Sequence, residues 1–172
     1  SGNSSFIGGG QSNSVSGTSA TVSGGNTNQA TNTNSTVSGG QNNLASASAS
    51  AIGGGTGNTA SGDASNVNGG TNNTASGLES SVSGGFGNAA SGSRASVGGG
   101  VSNTAAGDYS SIPGGHLLTL TANADYSFGF LANSTGGANA MTIDVPFTSV
   151  FGNTNLWLAN NNSTASQLRF YE

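Results

Sequence analysis

The stretch GGTNNTASGLESSVSGG, residues 69–85, decides the fold. TGNTASGDASNVNGG, residues 56–70, leads into it, and FGNAASGSRASVGGG, residues 86–100, follows it. Broken after each Gly-Gly, the chain falls into seven copies of fifteen residues: 11–25, 26–40, 41–55, 56–70, 71–85, 86–100 and 101–115. Residues 1–10 are the last two-thirds of an earlier copy. The consensus is x-x-N-x-A-S-G-x-x-S-x-V-x-G-G, and positions below are counted along it from 1 to 15. Position 3 is Asn in every copy: Asn13, Asn28, Asn43, Asn58, Asn73, Asn88 and Asn103. Position 12 is always β-branched: Val22, Val37, Ile52, Val67, Val82, Val97 and Ile112. Position 5 is Val15 and then Ala30, Ala45, Ala60, Ala75, Ala90 and Ala105.

A chain of 172 residues with 31 Gly, 5% charged residues and no Cys has the composition of a linker or of a repeat architecture. A linker has no reason to hold a fifteen-residue register, so the repeat reading stands. Each copy splits into two half-copies, N-x-A-x-G and S-x-V-x-G. Alternation at period two places Asn with Ala, and Ser with Val, on one face of a strand. Gly at the ends gives the backbone freedom for turns. The Gly, Ser, Thr and Asn content argues against helix. One copy is therefore predicted to be strand, turn, strand, turn: one coil of an all-β parallel β-roll or β-solenoid. At a strand spacing of about 4.8 Å, seven coils would make a rod of about 34 Å. The position-3 Asn residues would stack as a structural ladder of side-chain amides.

Size and charge vary at few positions. Asp63, Glu79, Arg94 and Asp108, the charged residues of copies 11–115, fall at positions 8 and 9, and Phe86, Val101 and His116 fall at position 1. These positions are predicted to be turns at the coil edges. Glu79, Arg94 and Tyr109 share position 9 on successive coils, which predicts a surface ion pair with Arg94 leaning on Tyr109. Each coil offers one Val or Ile and one or two Ala to a core, which reads as thin for an isolated chain. A homo-oligomer with cyclic symmetry about the long axis, burying the Val/Ile stripe of each chain, is the expected remedy.

The phrases NTASGDASNVNGG, NTASGLESSVSGG and NTAAGDYSSIPGG resemble the head repeats of trimeric autotransporter adhesins, the YadA-like head family. The resemblance covers about residues 1–130, although the family repeat is nearer fourteen residues. It implies a left-handed parallel β-roll, three chains about one axis, on a bacterial surface. Similar repeats also occur in phage tail fibres and other secreted bacterial proteins.

Three segments are expected: the repeat solenoid at 1–115, a degenerate capping coil at 116–130, and a β-rich end at 131–172. Leu117, Leu118 and Leu120 are expected to close the stack, as terminal repeats do. The aromatic residues Tyr126, Phe128, Phe130, Phe147, Phe151, Trp157, Phe170 and Tyr171 gather beyond them. The final SQLRFYE reads as a strand, with Leu168 and Phe170 as a candidate inter-subunit strand that adds to an open solenoid edge.

Catalytic chemistry has few groups to stand on. The sole His, His116, sits in no motif, no G-x-S-x-G elbow joins a strand to a helix, and a P-loop needs the Lys that this chain lacks. Asp63 and Asp108 are three coils apart, about 14 Å at strand spacing, beyond the reach of a glycosidase pair. GGTGN at 54–58 has Asn58 where a calcium-binding nonapeptide repeat has Asp. We therefore expect no enzyme, no catalytic or metal-ligating residues and no cofactor. The two cations, Arg94 and Arg169, argue against a nucleic-acid partner, and no apolar run is long enough for membrane insertion by a helix. The chain begins at Ser1, which fits a processed or excised chain that once followed a secretion signal. The expected role is an extracellular or cell-surface structural and adhesive fibre of bacterial origin. Its partners are expected to be itself, as homotrimer or filament, and a host surface or matrix ligand. The alternatives are a phage-type tail fibre binding a host receptor and an ice-binding β-solenoid, the latter weakened because position 4 does not hold Thr in every copy.

Overall fold

The computed structural model describes residues 2–131 and 140–152. It is an all-β parallel β-solenoid of fifteen-residue coils. Positions 11–12 form one sheet, ten strands in order from Phe6–Ile7 to Ser149–Gly152. Positions 4–5 form a second, nine strands from Ser14–Val15 to Met141–Ile143. Among the described residues every strand pairing is parallel, and in the repeat region each strand residue meets its counterpart one coil on, as in Thr74↔Ala89 and Ser81↔Ser96.

A third column of bridges runs through position 1: Gln11, Asn26, Gln41, Thr56, Thr71, Phe86, Val101 and His116. Position 1 was expected to be a turn. It is instead a narrow third side of the coil, paired to its neighbours like the sheets.

The interior lies between the two sheets of one chain. Val22, Val37, Ile52, Val67, Val82, Val97 and Ile112 are each at most 1% exposed, and Ala30, Ala45, Ala60, Ala75, Ala90 and Ala105 lie in the same cluster at 0%. The stripe therefore needs no neighbouring subunit to cover it, and the packing argument for a trimer does not hold. The physical reason is size. Ala at position 5 and Ser or Ala at position 10 leave room for the coil to fold flat onto its own Val.

The turns work differently from the Gly-based expectation. Positions 2 and 9 are left-handed in nearly every coil and mostly not Gly, as in Asn72 (φ 56), Glu79 (φ 54), Arg94 (φ 56) and Tyr109 (φ 57). That conformation costs about 1–2 kcal/mol per non-Gly residue. It turns the amide around. Strand N–H groups donate to the following coil, as Thr74 does to Asn88 O at 2.8 Å, but Asn72 donates back to Thr56 O at 2.9 Å and Arg94 back to Leu78 O at 2.7 Å. Coils are thus tied in both directions. Of the Gly-Gly pair that ends each fifteen-residue copy only the second is required. Gly70 has φ 85, and a Cβ there would overlap the Gly85 carbonyl of the next coil, whereas a Cβ on Gly69 would meet nothing within 4 Å.

The sheets continue past Gly115. Leu118–Leu120 pairs with Thr104–Ala105 on one side and Met141–Ile143 on the other, so the segment expected to close the stack is itself covered by a further coil. Leu118, Leu120 and Leu131 are buried, whereas Leu117 takes the left-handed position 2 with φ 60. The period also stretches, Ser111 pairing with Phe128 and Phe128 with Ser149.

Candidate functional site

The position-3 Asn column is the most regular polar feature. Asn28, Asn43, Asn58, Asn73, Asn88 and Asn103 are buried, and Asn13, in the first full copy, is half-buried. Asn73 is typical. Its Nδ2 donates to Gly69 O and to Gly85 O of the next coil, both at 3.0 Å, and its Oδ1 accepts the Asn88 N–H at 2.9 Å. The amides bond mainly to backbone rather than to one another. One amide-to-amide bond joins Asn103 Nδ2 to Asn88 Oδ1 at 3.2 Å. A buried amide with both protons donated and its oxygen accepting is a satisfied structural group, and its burial keeps it from a ligand.

The outer faces are hydroxyl-rich. Position 4 of the second sheet carries Thr59, Thr74, Ala89 and Thr104 in register, then Thr119 and Thr142 in the two coils beyond. Ser61, Ser76 and Ser91 occupy position 6 beside this column. The charges of the fifteen-residue coils stay at positions 8 and 9.

At that edge the carboxylates at position 8 cap the coil before. Asp63 Oδ1 accepts the Ser48 N–H at 3.1 Å, Asp108 Oδ1 that of Ser93 at 2.8 Å, and Asp125 Oδ1 that of Asp108 at 2.7 Å. Position 9 carries the column Glu79, Arg94, Tyr109, Tyr126 and Phe147. The expected ion pair forms, with Arg94 Nε 2.7 Å from Glu79 Oε2. Arg94 also donates to the Tyr109 hydroxyl and lies 5.4 Å from that ring's centroid. Its bonds to Glu79 first, and to Tyr109 second, hold the guanidinium more firmly protonated than usual. Tyr109 stacks on Tyr126 with centroids 4.9 Å apart, and Tyr126 on Phe147 at 5.3 Å. A count of fifteen ends the column at Tyr109, because Tyr126 follows 17 residues on and Phe147 a further 21. The tripeptide Asp-Tyr-Ser, at 108–110 and again at 125–127, was the available signal.

Farther along, Asp144 Oδ1 accepts from Thr121 Oγ1 and, at 3.0 Å, from Asn123 Nδ2. These bonds, Thr121 first, hold its carboxyl below the usual aspartate range.

His116 sits in the position-1 column beside Val101. Among the described residues no three acidic or His side chains converge and no pocket opens. Leu168 and Phe170, with Trp157, Arg169 and Tyr171, lie outside the described residues.

These features place the chain among parallel β-solenoid repeat proteins. No protein-family model matches it, and no curated protein sequence matches it either.

Proposed function

We propose that this chain is an extracellular structural and adhesive rod of bacterial origin, working as a homotrimer that adds end to end into filaments and meeting a host surface or matrix along its length. One observation carries the reading: the same Asn column and Val/Ile stripe repeat through every full coil, the Asn buried from the second copy on, so the chain is built for uniform length and stiffness. Chemistry at one point has no comparable support, and we take the protein to be no enzyme. With the stripe internal, the surface open to a second copy is the position-1 side, where Phe86 is 51% and Val101 40% exposed. Light scattering over a dilution series tests the assembly. A steady mass of three chains, or large filamentous particles, is expected. A single-chain mass at every concentration would overturn self-association and leave adhesion to be judged by binding to immobilised matrix.

A second reading is ice binding, favoured by the Thr column of position 4, which extends through Thr119 and Thr142 beyond the recognisable repeats. Its members lie one strand spacing apart, about 4.8 Å, except across Ala89, where the gap is two spacings, on an outer face that is free of charge through the fifteen-residue coils. A thermal-hysteresis measurement decides it: no gap between freezing and melting removes this reading.

A further inference from the structure

Tyr109 and Tyr126 stand on consecutive coils at the position-9 edge, where the repeat stretches from fifteen to seventeen residues. Their rings are 5° from parallel with centroids 4.9 Å apart. Arg94 holds the Tyr109 hydroxyl from one side, and Phe147 stacks on Tyr126 from the other. The backbone beneath is equally fixed: the Tyr126 N–H donates to Asp108 O at 2.8 Å, and the Asp108 N–H to Asp125 Oδ1 at 2.7 Å. Both rings are open to solvent, at 44% and 56% exposure, so an oxidant can reach them and they can swing out of the stack. These 172 residues hold no Cys and no Lys, so neither a disulfide nor a lysine isopeptide can tie one coil to the next.

We propose that Tyr109 and Tyr126 form an oxidative cross-linking site that closes to an intrachain dityrosine when a haem peroxidase, supplied with hydrogen peroxide, acts as one-electron oxidant. Each phenol gives up one electron and one proton. The two phenoxyl radicals carry spin on the ring carbons ortho to oxygen, and one such carbon from each ring joins the other in a new C–C bond. Each coupled ring then moves its displaced ortho hydrogen to oxygen as a proton and regains aromaticity. In balance, two ortho C–H bonds break, one C–C bond forms, both phenols are restored, and two electrons and two protons reduce one hydrogen peroxide to two waters. Proximity makes the pairing selective, because a radical on either ring has its partner already beside it. The product clamps two coils together where the regular repeat ends.

The test uses the full chain, dilute, with a haem peroxidase and hydrogen peroxide. Expected are dityrosine emission, a loss of two hydrogens from the intact mass, single-chain mobility on a denaturing gel, and, after cleavage before Asp residues, a linked product of peptides 108–124 and 125–143. Tyr109→Phe and Tyr126→Phe retain a ring at each place in the stack, and each is expected to lose the linked product while its circular dichroism stays that of the parent. Three results would overturn the proposal: Tyr109 or Tyr126 hydroxylated without a link, emission that survives both variants because it arises through Tyr171, or an equal yield of linked peptide from the chain in denaturant.

Discussion

Replacing Asn73 by Ala removes one rung of the Asn column and nothing else of size. Two Nδ2 bonds and one Oδ1 bond go, but their losses differ. Gly85 O keeps the Thr71 N–H at 2.9 Å, and Gly69 is half-buried, so water can reach its carbonyl. The Asn88 N–H is left without a partner next to a side chain that is 1% exposed. An orphaned buried donor costs about 1–3 kcal/mol, and each lost bond to a still-satisfied or wetted carbonyl about 0.5–1.5 kcal/mol. The expected loss is about 3 kcal/mol, which for a chain of this length lowers Tm by about 6–12 °C. Asn72→Ala is the control. Asn72 is exposed, and its change forfeits only the tolerance of Asn for φ 56, about 1 kcal/mol. Stacked coils unfold as arrays of neighbours, so a global melt needs a local companion. Amide hydrogen exchange supplies it: the Asn88 amide should lose protection in the variant while the Asn103 amide, held by Asn88 Oδ1 at 3.0 Å, keeps it. A Tm within about 2 °C of the parent, which is under 1 kcal/mol at this length, together with an unchanged Asn88 exchange rate, would refute the claim that these amides bind coil to coil.

Two further outcomes follow from the same geometry. Gly70→Ala should destabilise by about 3 kcal/mol or more, because it strains φ 85 and drives a methyl into the Gly85 carbonyl, whereas Gly69→Ala should be neutral or gain about 0.4–1 kcal/mol from a stiffer unfolded chain. Urea titration of the pair checks this, and equal effects would mean the two glycines are equivalent after all. Acid should loosen the link between Leu118–Leu120 and Met141–Ile143. The Asp144 carboxyl is held below its ordinary range when folded, so its contribution is fully present above the unfolded aspartate value and fades as pH falls through the lower folded one. The group is exposed and the effect small. It should be visible as a Thr121 amide protection factor, the observed rate set against the intrinsic rate at each pH, that falls at low pH in the parent and not in Asp144→Asn, and a protection factor that does not change with pH would contradict it.

What could be read from the residues was whatever the period alone dictates. A fifteen-residue repeat with alternating small residues forces parallel in-register stacking, and alternation turned Asn73, Ala75, Ser80 and Val82 to the same side, where all four are buried. The covering of that side was beyond reach. A face of Ala and Val looks alike whether its own chain or a neighbour closes over it, and the answer depends on how flat the coil folds, which no single residue encodes. The backbone reversals at positions 2 and 9 were hidden for a related reason. Serine, Asn, Glu, Arg and Tyr all occur there, because the left-handed turn is held by bonds to the coil before rather than by a residue suited to it. The Asn column was visible, but its partners were not, since the carbonyls it meets belong to glycines that carry no side chain to read. The aromatic edge was lost at Tyr126 because two extra residues between Asp108 and Asp125 broke the count, although the stacked geometry tolerated them. Where the coil lengthens from fifteen to seventeen residues, edge contacts such as Asp125 to Asp108 and Tyr126 on Tyr109 persist beside the strand pairing, so the added length is taken up without loss of the column.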